Sequence, residues 1–178
     1  DDENSDQGEF LQKTAGKGTN PKGTDRGYLN DPGDAKRSPN LSGGTYTWWK
    51  NKQGLDLAVY RPGVKGRFRI WLSWGSGWGT HGKDALYQLD ADGDPATDKD
   101  RKTIATINQQ LFAKGEGKVV SKPLWSGFQN AGVQDLEPES GIVLRAGNTG
   151  SAVTADVILL SADEGGKAPT RPPALRPA

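Results

Sequence analysis

The side chains best suited to chemistry lie close together in a glycine-rich loop, residues 75–83, and directly after it. The loop contains Trp78 and His81, the only histidine of the chain, and Asp84 follows it. A tryptophan ring can stack on the C–H face of a sugar ring, while histidine and aspartate can bond to its hydroxyl groups. His81 and Asp84 could instead act as a general acid and base, or His81 could bind a metal ion. The loop therefore predicts a ligand-binding surface, a catalytic pair or a metal site.

Catalysis at His81 would need partners that the sequence does not present in a recognisable arrangement. A hydrolase that used histidine would need a nucleophile, and the chain has no G-x-S-x-G motif. A histidine without a second histidine nearby more often forms a hydrogen bond in a loop than binds a metal. Two carboxylates that cleave a glycosidic bond need only be close in space, so the sequence leaves that alternative open.

A second group of candidate ligands follows the loop, where five aspartates occur within eleven residues. Carboxylates in such a run repel one another unless they are solvated, paired or coordinated to a hard cation such as calcium. Their spacing resembles an EF-hand loop at first, but Pro95 replaces the turn glycine and Arg101 replaces the final glutamate. The alternative is a polar hairpin loop that turns at Asp92 and Gly93. The five candidate calcium ligands are Asp90, Asp92, Asp94, Asp98 and Asp100.

The loop must be positioned by the strand that precedes it, residues 67–74. Phe68, Ile70 and Leu72 alternate with polar or aromatic residues, which is the period of a strand with two unlike faces. Arg69 and Trp71 are expected on the face opposite to the core, where they would extend the candidate ligand site, while Trp74 returns to the core. The same alternation predicts that Trp48 and Trp49 point to opposite faces, so that one of them is buried.

Short strands of this kind recur along the chain and predict an all-β fold. With 25 glycines and 11 prolines between them, they favour an antiparallel two-sheet β-sandwich of jelly-roll type. The polar segment 1–44 has few apolar anchors, notably Phe10, Leu11, Tyr28, Leu29 and Leu41. The predicted strands are 46–49, 55–60, 67–74, 86–89, 103–108, 125–128, 132–136, 141–144 and 153–160.

Composition limits the partners and suggests that the chain is part of something longer. The formal charge is +1 with scattered basic residues, which argues against nucleic acid, and no apolar run approaches the roughly 20 residues of a membrane span. Without cysteine, disulfides and thiol catalysis are excluded. The absence of methionine predicts a processed or excised chain. Residues 1–161 are expected to form one module, and the proline-rich residues 162–178 an extended linker to a neighbouring domain.

Several segments together resemble the golvesin-like domain, also described as the xanthan-lyase carbohydrate-binding-like domain. They are GRFRIWLSWGSGW, DALYQLDADGD with TIATINQQ, LWSGFQNAGV and GIVLRAGNTGSAVTADVILLSA. Trp74, Asp92 with Gly93, Gln109, Trp125 and Asp156 take the places of the family's characteristic residues, and residues 27–31 resemble one of its first strands. The resemblance covers roughly residues 1–161, and implies a β-sandwich that accompanies other domains in secreted or surface bacterial proteins.

The leading hypothesis is a non-catalytic accessory module in an extracellular, cell-surface or periplasmic protein. It would bind polysaccharide through Trp78 and Trp71, with hydrogen bonds from Arg69, His81 and Asp84, and would bind calcium if the acidic loop does so. The alternatives are a spacer or protein-interaction domain in which all six tryptophans pack, and a small hydrolase that uses His81 and Asp84.

Overall fold

Short β-strands make up almost all the regular structure in the described part of this protein. The computed structural model describes residues 9–11, 23–26, 45–76, 78–94, 96–111 and 128–167. A short 3-10 helix, Glu164–Gly166, follows the last strand. The strands are β1 Glu9–Leu11, β2 Thr24–Arg26, β3 Tyr46–Lys50, β4 Asp56–Arg61, β5 Gly66–Leu72, β6 Ala85–Asp90, β7 Lys102–Ile107, β8 Gln129–Leu136, β9 Gly141–Arg145, β10 Ala152–Ala155 and β11 Ile158–Ala162.

The strands pair antiparallel in three sheets. Sheet A is five-stranded, in the order β1-β4-β9-β6-β7, and sheets B and C are three-stranded, in the orders β10-β3-β2 and β11-β5-β8. Only β2 with β3 and β6 with β7 are neighbours both in a sheet and in chain order, so most of the antiparallel pairs join strands that are far apart in the chain. Only residues 156–157 separate β10 from β11, so the chain passes directly from sheet B to sheet C.

Apolar side chains from all three sheets meet in one core. Leu57 and Tyr87 come from sheet A, Trp49 from sheet B, and Ile70 and Leu72 from sheet C, and all five are buried. A single apolar cluster between packed sheets is the defining feature of a β-sandwich. The predicted all-β antiparallel sandwich is confirmed, and all three sheets contribute to its main core.

The prediction of one strand over residues 153–160 is wrong, because the chain changes sheets in the middle of this segment. Asp156 lies at the break and is fully buried. Its carboxylate accepts a hydrogen bond of 2.5 Å from Ser73 Oγ, and its backbone carbonyl accepts one of 3.1 Å from Tyr60. A buried carboxylate needs fixed donors of this kind. Asp156 therefore interrupts the strand at a position where both of these donors can reach it.

Some predictions concern residues outside the described ranges. Tyr28, Leu29, Leu41 and Trp125 are among them, as are residues 168–178 of the expected linker. β11 ends at Ala162, close to the expected end of the module. Within the described ranges, no helix has the length and apolar character needed to cross a membrane.

A buried ionic network joins the start of β7 to strands of the same sheet. The Arg101 guanidinium lies 2.7 Å from Asp56 Oδ2 and 3.1 Å from Asp90 Oδ2, and its side chain is only 3% exposed. Arg145 approaches the other oxygen of Asp56 at 3.1 Å. Charges withdrawn from water in this way are tolerable only while each has its partner. Arg101, expected to be a poor substitute for a calcium ligand, is instead an interior cation.

Replacing Arg101 by alanine is expected to lower the free energy of unfolding by about 3–5 kcal/mol, because it leaves Asp90 buried without its cation and Asp56 with Arg145 alone. Urea-induced unfolding at neutral pH measures the loss. The matched control is Lys65→Ala, which removes a solvent-exposed pair with Glu137 and should cost much less stability. Equal losses in the two variants would contradict the importance of the buried network.

Candidate functional site

A surface depression of about 280 Å³ lies between β3, the loop that follows β5, and the start of β10. Its size is close to the lower limit for pockets that hold small ligands. Among the described residues its lining combines aromatic side chains with small polar and apolar ones. The lining residues are Tyr46, Trp48, Trp78, Thr80, His81, Ser151 and Ala152.

Trp48 reaches the depression because of the alternation of β3. Trp49 is buried in the core, whereas the next side chain back along the strand, Trp48, is only half-buried. β3 is the central strand of sheet B, and Trp48 lies opposite Thr24 on one neighbour and Thr154 on the other. The prediction that the two tryptophans point to opposite faces is confirmed, and the sheet holds Trp48 firmly in place.

The buried Tyr46 forms an inner wall of the depression. Its ring meets His81 edge to face, with ring centres 6.3 Å apart and an angle of 72° between the planes. A Cβ atom on Gly75 would lie 2.5 Å from Tyr46 Cδ2. Only glycine leaves room for the tyrosine ring against this stretch of backbone.

The loop from residue 75 to residue 83 is attached to β10 along much of its length. Thr80 accepts backbone hydrogen bonds from Ser151 and Ala152, at 2.8 and 3.1 Å, and Gly82 donates one of 2.8 Å to Ala152. His81 makes an isolated bridge to Ala152 and is 4% exposed. Backbone groups paired in this way fix residues 80–82 against the start of β10. Trp78 therefore projects from an anchored segment.

The buried side chain of Gln109 secures the same region from behind. Its Nε2 donates to the Thr154 carbonyl at 2.7 Å, and its Oε1 accepts from the Thr154 amide at 2.8 Å. Its backbone N–H donates to Gly82 at 2.8 Å, and its carbonyl oxygen lies 3.4 Å from His81 Nδ1. β10 is an edge strand of sheet B. The Gln109 side chain therefore pairs with the Thr154 N–H and C=O groups on the open edge, where another strand could otherwise bind.

Asp84, expected to bind a ligand, has another role. Its two carboxylate oxygens accept hydrogen bonds from the Asn148 amide at 2.8 Å, the Thr149 amide at 3.1 Å and the Thr149 hydroxyl at 2.6 Å. The Thr149 hydroxyl, followed by the two amides, lowers the pKa of Asp84, although partial burial opposes the effect. The carboxylate holds the turn between β9 and β10, which carries Ser151 at its end. Asp84 is absent from the lining of the depression.

Arg69 and Trp71 also lie away from the depression. Both are in β5 of sheet C, whereas the depression borders sheet B. The expectation that Trp71 is exposed is wrong: it is 2% exposed, packs with Phe128 and Val157, and donates from Nε1 to Ser161 Oγ at 3.1 Å. Alternation placed it on the outer face correctly, but other segments cover that face here. Arg69 bonds to the Asn130 side chain at 3.4 Å.

Of the predicted ligand residues, Trp78 and His81 come together, and the structure adds others. Trp48, Tyr46, Thr80 and Ser151 complete the lining of the depression. The alternation of Trp48 and Trp49 was the one sequence signal for this, since it required one indole to face outwards. The two half-buried indole rings offer flat apolar surfaces, and the exposed Thr80 and Ser151 offer hydroxyl groups at their edge. This combination suits a ligand with an apolar face and a polar rim.

The hairpin of β6 and β7, called the acidic hairpin below, carries its aspartates in two sets. Asp90, Asp92 and Asp100 each place one oxygen within 4.8 Å of the other two, so that together they could hold a metal ion. Asp94 and Asp98 are not in this group; Asp94 Oδ1 accepts a hydrogen bond of 2.9 Å from Ala96. The predicted hairpin is present, because β6 and β7 pair antiparallel across this connection. Gly93 turns the chain with a positive φ of 64°.

Asp84→Asn is expected to lower the free energy of unfolding at pH 7 by about 1–3 kcal/mol. The asparagine side chain has only one acceptor oxygen, and its NH₂ group cannot accept the hydrogen bonds that the second carboxylate oxygen accepts from the turn. The folded-state pKa of Asp84 is below its usual value, so its stabilisation is present above roughly pH 4 and is lost as the pH falls through that lowered pKa. Urea unfolding from pH 7 to pH 2.5 should therefore show parent and variant converging in acid. Asp98→Asn, an exposed aspartate outside this turn, is the control. A gap between parent and Asp84→Asn that does not change with pH would contradict the assignment.

Comparison with known proteins gives one informative similarity. No family model matches the sequence, and the comparison with curated proteins gives no match. A solved structure of a Paenibacillus xanthan lyase superposes on 89% of this chain with a TM-score of 0.52 and 13% sequence identity. The matched region is 12% of the lyase chain, so the similarity concerns one part of a much longer protein. At this level of identity the comparison shows a related fold, and this chain is an all-β sandwich whose fold is shared with part of a xanthan lyase.

Proposed function

We propose that this chain is a non-catalytic, carbohydrate-binding-like module that binds polysaccharide at the depression beside β3. The observation that carries the proposal is the pair of half-buried indoles, Trp48 and Trp78, in the lining of one depression. A sugar ring would stack on an indole through its C–H face, while Thr80 and Ser151 would bond to its hydroxyl groups. Tyr46 and His81 would form the inner wall.

The lining of the depression, in the part that the structure describes, supports binding rather than cleavage. Among the described residues that line the depression, none is aspartate, glutamate, lysine or arginine. Glycosidases commonly place two carboxylates on either side of the bond that they cleave. Asp84, the carboxylate closest in sequence to His81, is bonded to the turn at residues 148–149. The proposal therefore assigns no catalytic residue.

The similarity to part of a xanthan lyase supports the choice of ligand class and of context. A chain that matches 12% of a longer protein is of the size expected for one module among several. We therefore propose that the chain is a golvesin-like module of a secreted or cell-surface bacterial protein with neighbouring domains, and the similarity to part of a longer protein supports this proposal. Xanthan is the first polysaccharide to test.

The proposal also includes calcium, as the cation that the acidic hairpin binds. An all-carboxylate group supplies the hard oxygen ligands that calcium takes. The group is at the end of β6, whereas the depression borders the loop before the start of β6. We therefore assign the cation to stability and not to direct contact with the glycan.

Titration of the full chain with xanthan and a panel of other polysaccharides, followed by tryptophan fluorescence and affinity gel mobility, tests the proposal. We expect at least one polysaccharide to bind. Trp78→Ala and Trp48→Ala are each expected to weaken binding about tenfold or more, because they remove a stacking surface near the centre of the site.

Two controls distinguish a stacking site from general loss of structure. Trp78→Phe keeps a flat ring and should retain most of the affinity, with an unchanged urea unfolding midpoint. Arg69→Ala removes a predicted ligand residue that lies elsewhere, and should leave binding unchanged. An Arg69→Ala defect as large as that of Trp78→Ala would place the site on sheet C and overturn the proposal.

The alternative function is a spacer domain in which the tryptophans only stabilise the fold. Three of the five tryptophans in the described ranges have this purely structural role, because Trp49, Trp71 and Trp74 are buried. A spacer predicts no change in fluorescence or mobility with any polysaccharide in the panel. That result would reject glycan binding in favour of the spacer.

A further inference from the structure

The acidic hairpin has a feature that an ordinary polar loop does not need. Asp90 is the last residue of β6 and is only 2% exposed, yet its Oδ1 has no hydrogen-bond partner in the described part of the chain. Its other oxygen, Oδ2, accepts from Arg101 at 3.1 Å. A buried carboxylate oxygen without a donor is costly, because nothing replaces the water that it lost.

The two neighbouring carboxylates are held in place by backbone groups. Asp100 Oδ2 accepts hydrogen bonds of 3.1 Å from the amides of Ala91 and Asp92. Asp92 Oδ1 accepts one of 2.8 Å from the Asp94 amide. Each carboxylate therefore uses one oxygen to fix its own position. The arrangement brings the three together within 4.8 Å without any side-chain donor shared among them.

The charges linked to this group do not balance. Asp90 shares Arg101 with Asp56, and Asp56 also pairs with Arg145. With Asp92 and Asp100, four carboxylates in this linked set face two guanidinium groups, which leaves an excess of two negative charges. When all four carboxylates are ionised, one divalent cation would balance this excess of negative charge.

We propose that Asp90, Asp92 and Asp100 form a calcium site, in which the ion binds Asp90 Oδ1 and the remaining oxygens of the other two carboxylates. This inference deepens the cation part of the proposed function and does not depend on glycan binding. Three carboxylates with water in the other positions give the six to eight oxygen ligands that calcium accepts. The ion would tie the end of β6 to the end of the hairpin connection at Asp100. Asp94 and Asp98, which the sequence also suggested, are not ligands.

The test uses the full chain after treatment with EDTA, with calcium chloride and magnesium chloride as probes. Isothermal titration calorimetry should show one calcium ion bound, and the melting temperature should rise with calcium and fall again with EDTA. Magnesium should bind more weakly, because it requires a smaller and more regular set of ligands.

Paired aspartate variants locate the ion. Asp92→Asn keeps an oxygen for the Asp94 amide but removes a charge from the group, and should weaken calcium binding about tenfold or more. Asp98→Asn removes the same charge from the same connection but not from the group, and should change the affinity less than about twofold. Trp78→Ala should leave calcium affinity unchanged, so failure of the glycan proposal and failure of the calcium proposal are separate results.

Three outcomes would overturn the calcium site. They are the absence of both a calcium heat and a melting shift, equal weakening by Asp92→Asn and Asp98→Asn, and magnesium affinity equal to that of calcium. The first would return the hairpin to an ion-free polar loop. The second would indicate diffuse attraction to a negatively charged surface, and the third would reject calcium as the specific ion.

Discussion

The hydrogen bonds of the buried Gln109 are the constraint on which the candidate site depends. One side-chain amide pairs with both backbone groups of Thr154, and the backbone of the same residue reaches Gly82 and the His81 ring. Three segments far apart in the chain thus meet at one residue: the end of β7, the loop before β6 and the edge strand β10. A buried amide or carbonyl group without a hydrogen-bond partner is costly. Removing the Gln109 side-chain amide would leave the buried N–H and C=O groups of Thr154 in β10 without this partner. Trp78 and Ser151 are brought to the same depression because these segments are joined.

Strand β6 separates two regions with different physical character. Before its start, aromatic rings and hydroxyl groups surround a depression whose described lining includes no aspartate, glutamate, lysine or arginine. At its other end, carboxylates gather around the buried Asp90 and the interior cation Arg101. The first region can offer contact area to a ligand with apolar faces, whereas the second offers strong local charge. The proposed glycan site and the proposed ion site are therefore separate, and a substitution at one is expected to leave the other unchanged.

Much of the fold was predictable because short-range patterns decide it. The alternation of β5, of Trp48 with Trp49, and of the strands near residues 86–89 and 103–108 identified strands that the structure contains. Trp74 was expected in the core and lies there. The failures share a physical cause. Trp71 is on the predicted face, but a strand pattern does not show which other segment covers that face, and the interior position of Asp156 depends on donors from Ser73 and Tyr60, far away in sequence.

The sequence by itself determined that this chain is an antiparallel β-sandwich, that one of the two adjacent tryptophans faces outwards, and that carboxylates crowd a hairpin. It did so because strand alternation, glycine turns and charge density act between neighbouring residues. Only the tertiary structure decided which side chains share a site. It separated Arg69, Trp71 and Asp84 from Trp78 and His81, added Trp48 and Tyr46, and reduced five candidate metal ligands to three. Those choices depend on contacts between residues up to about a hundred positions apart, such as Asp56 with Arg145 and Tyr60 with Asp156, and no local pattern encodes them.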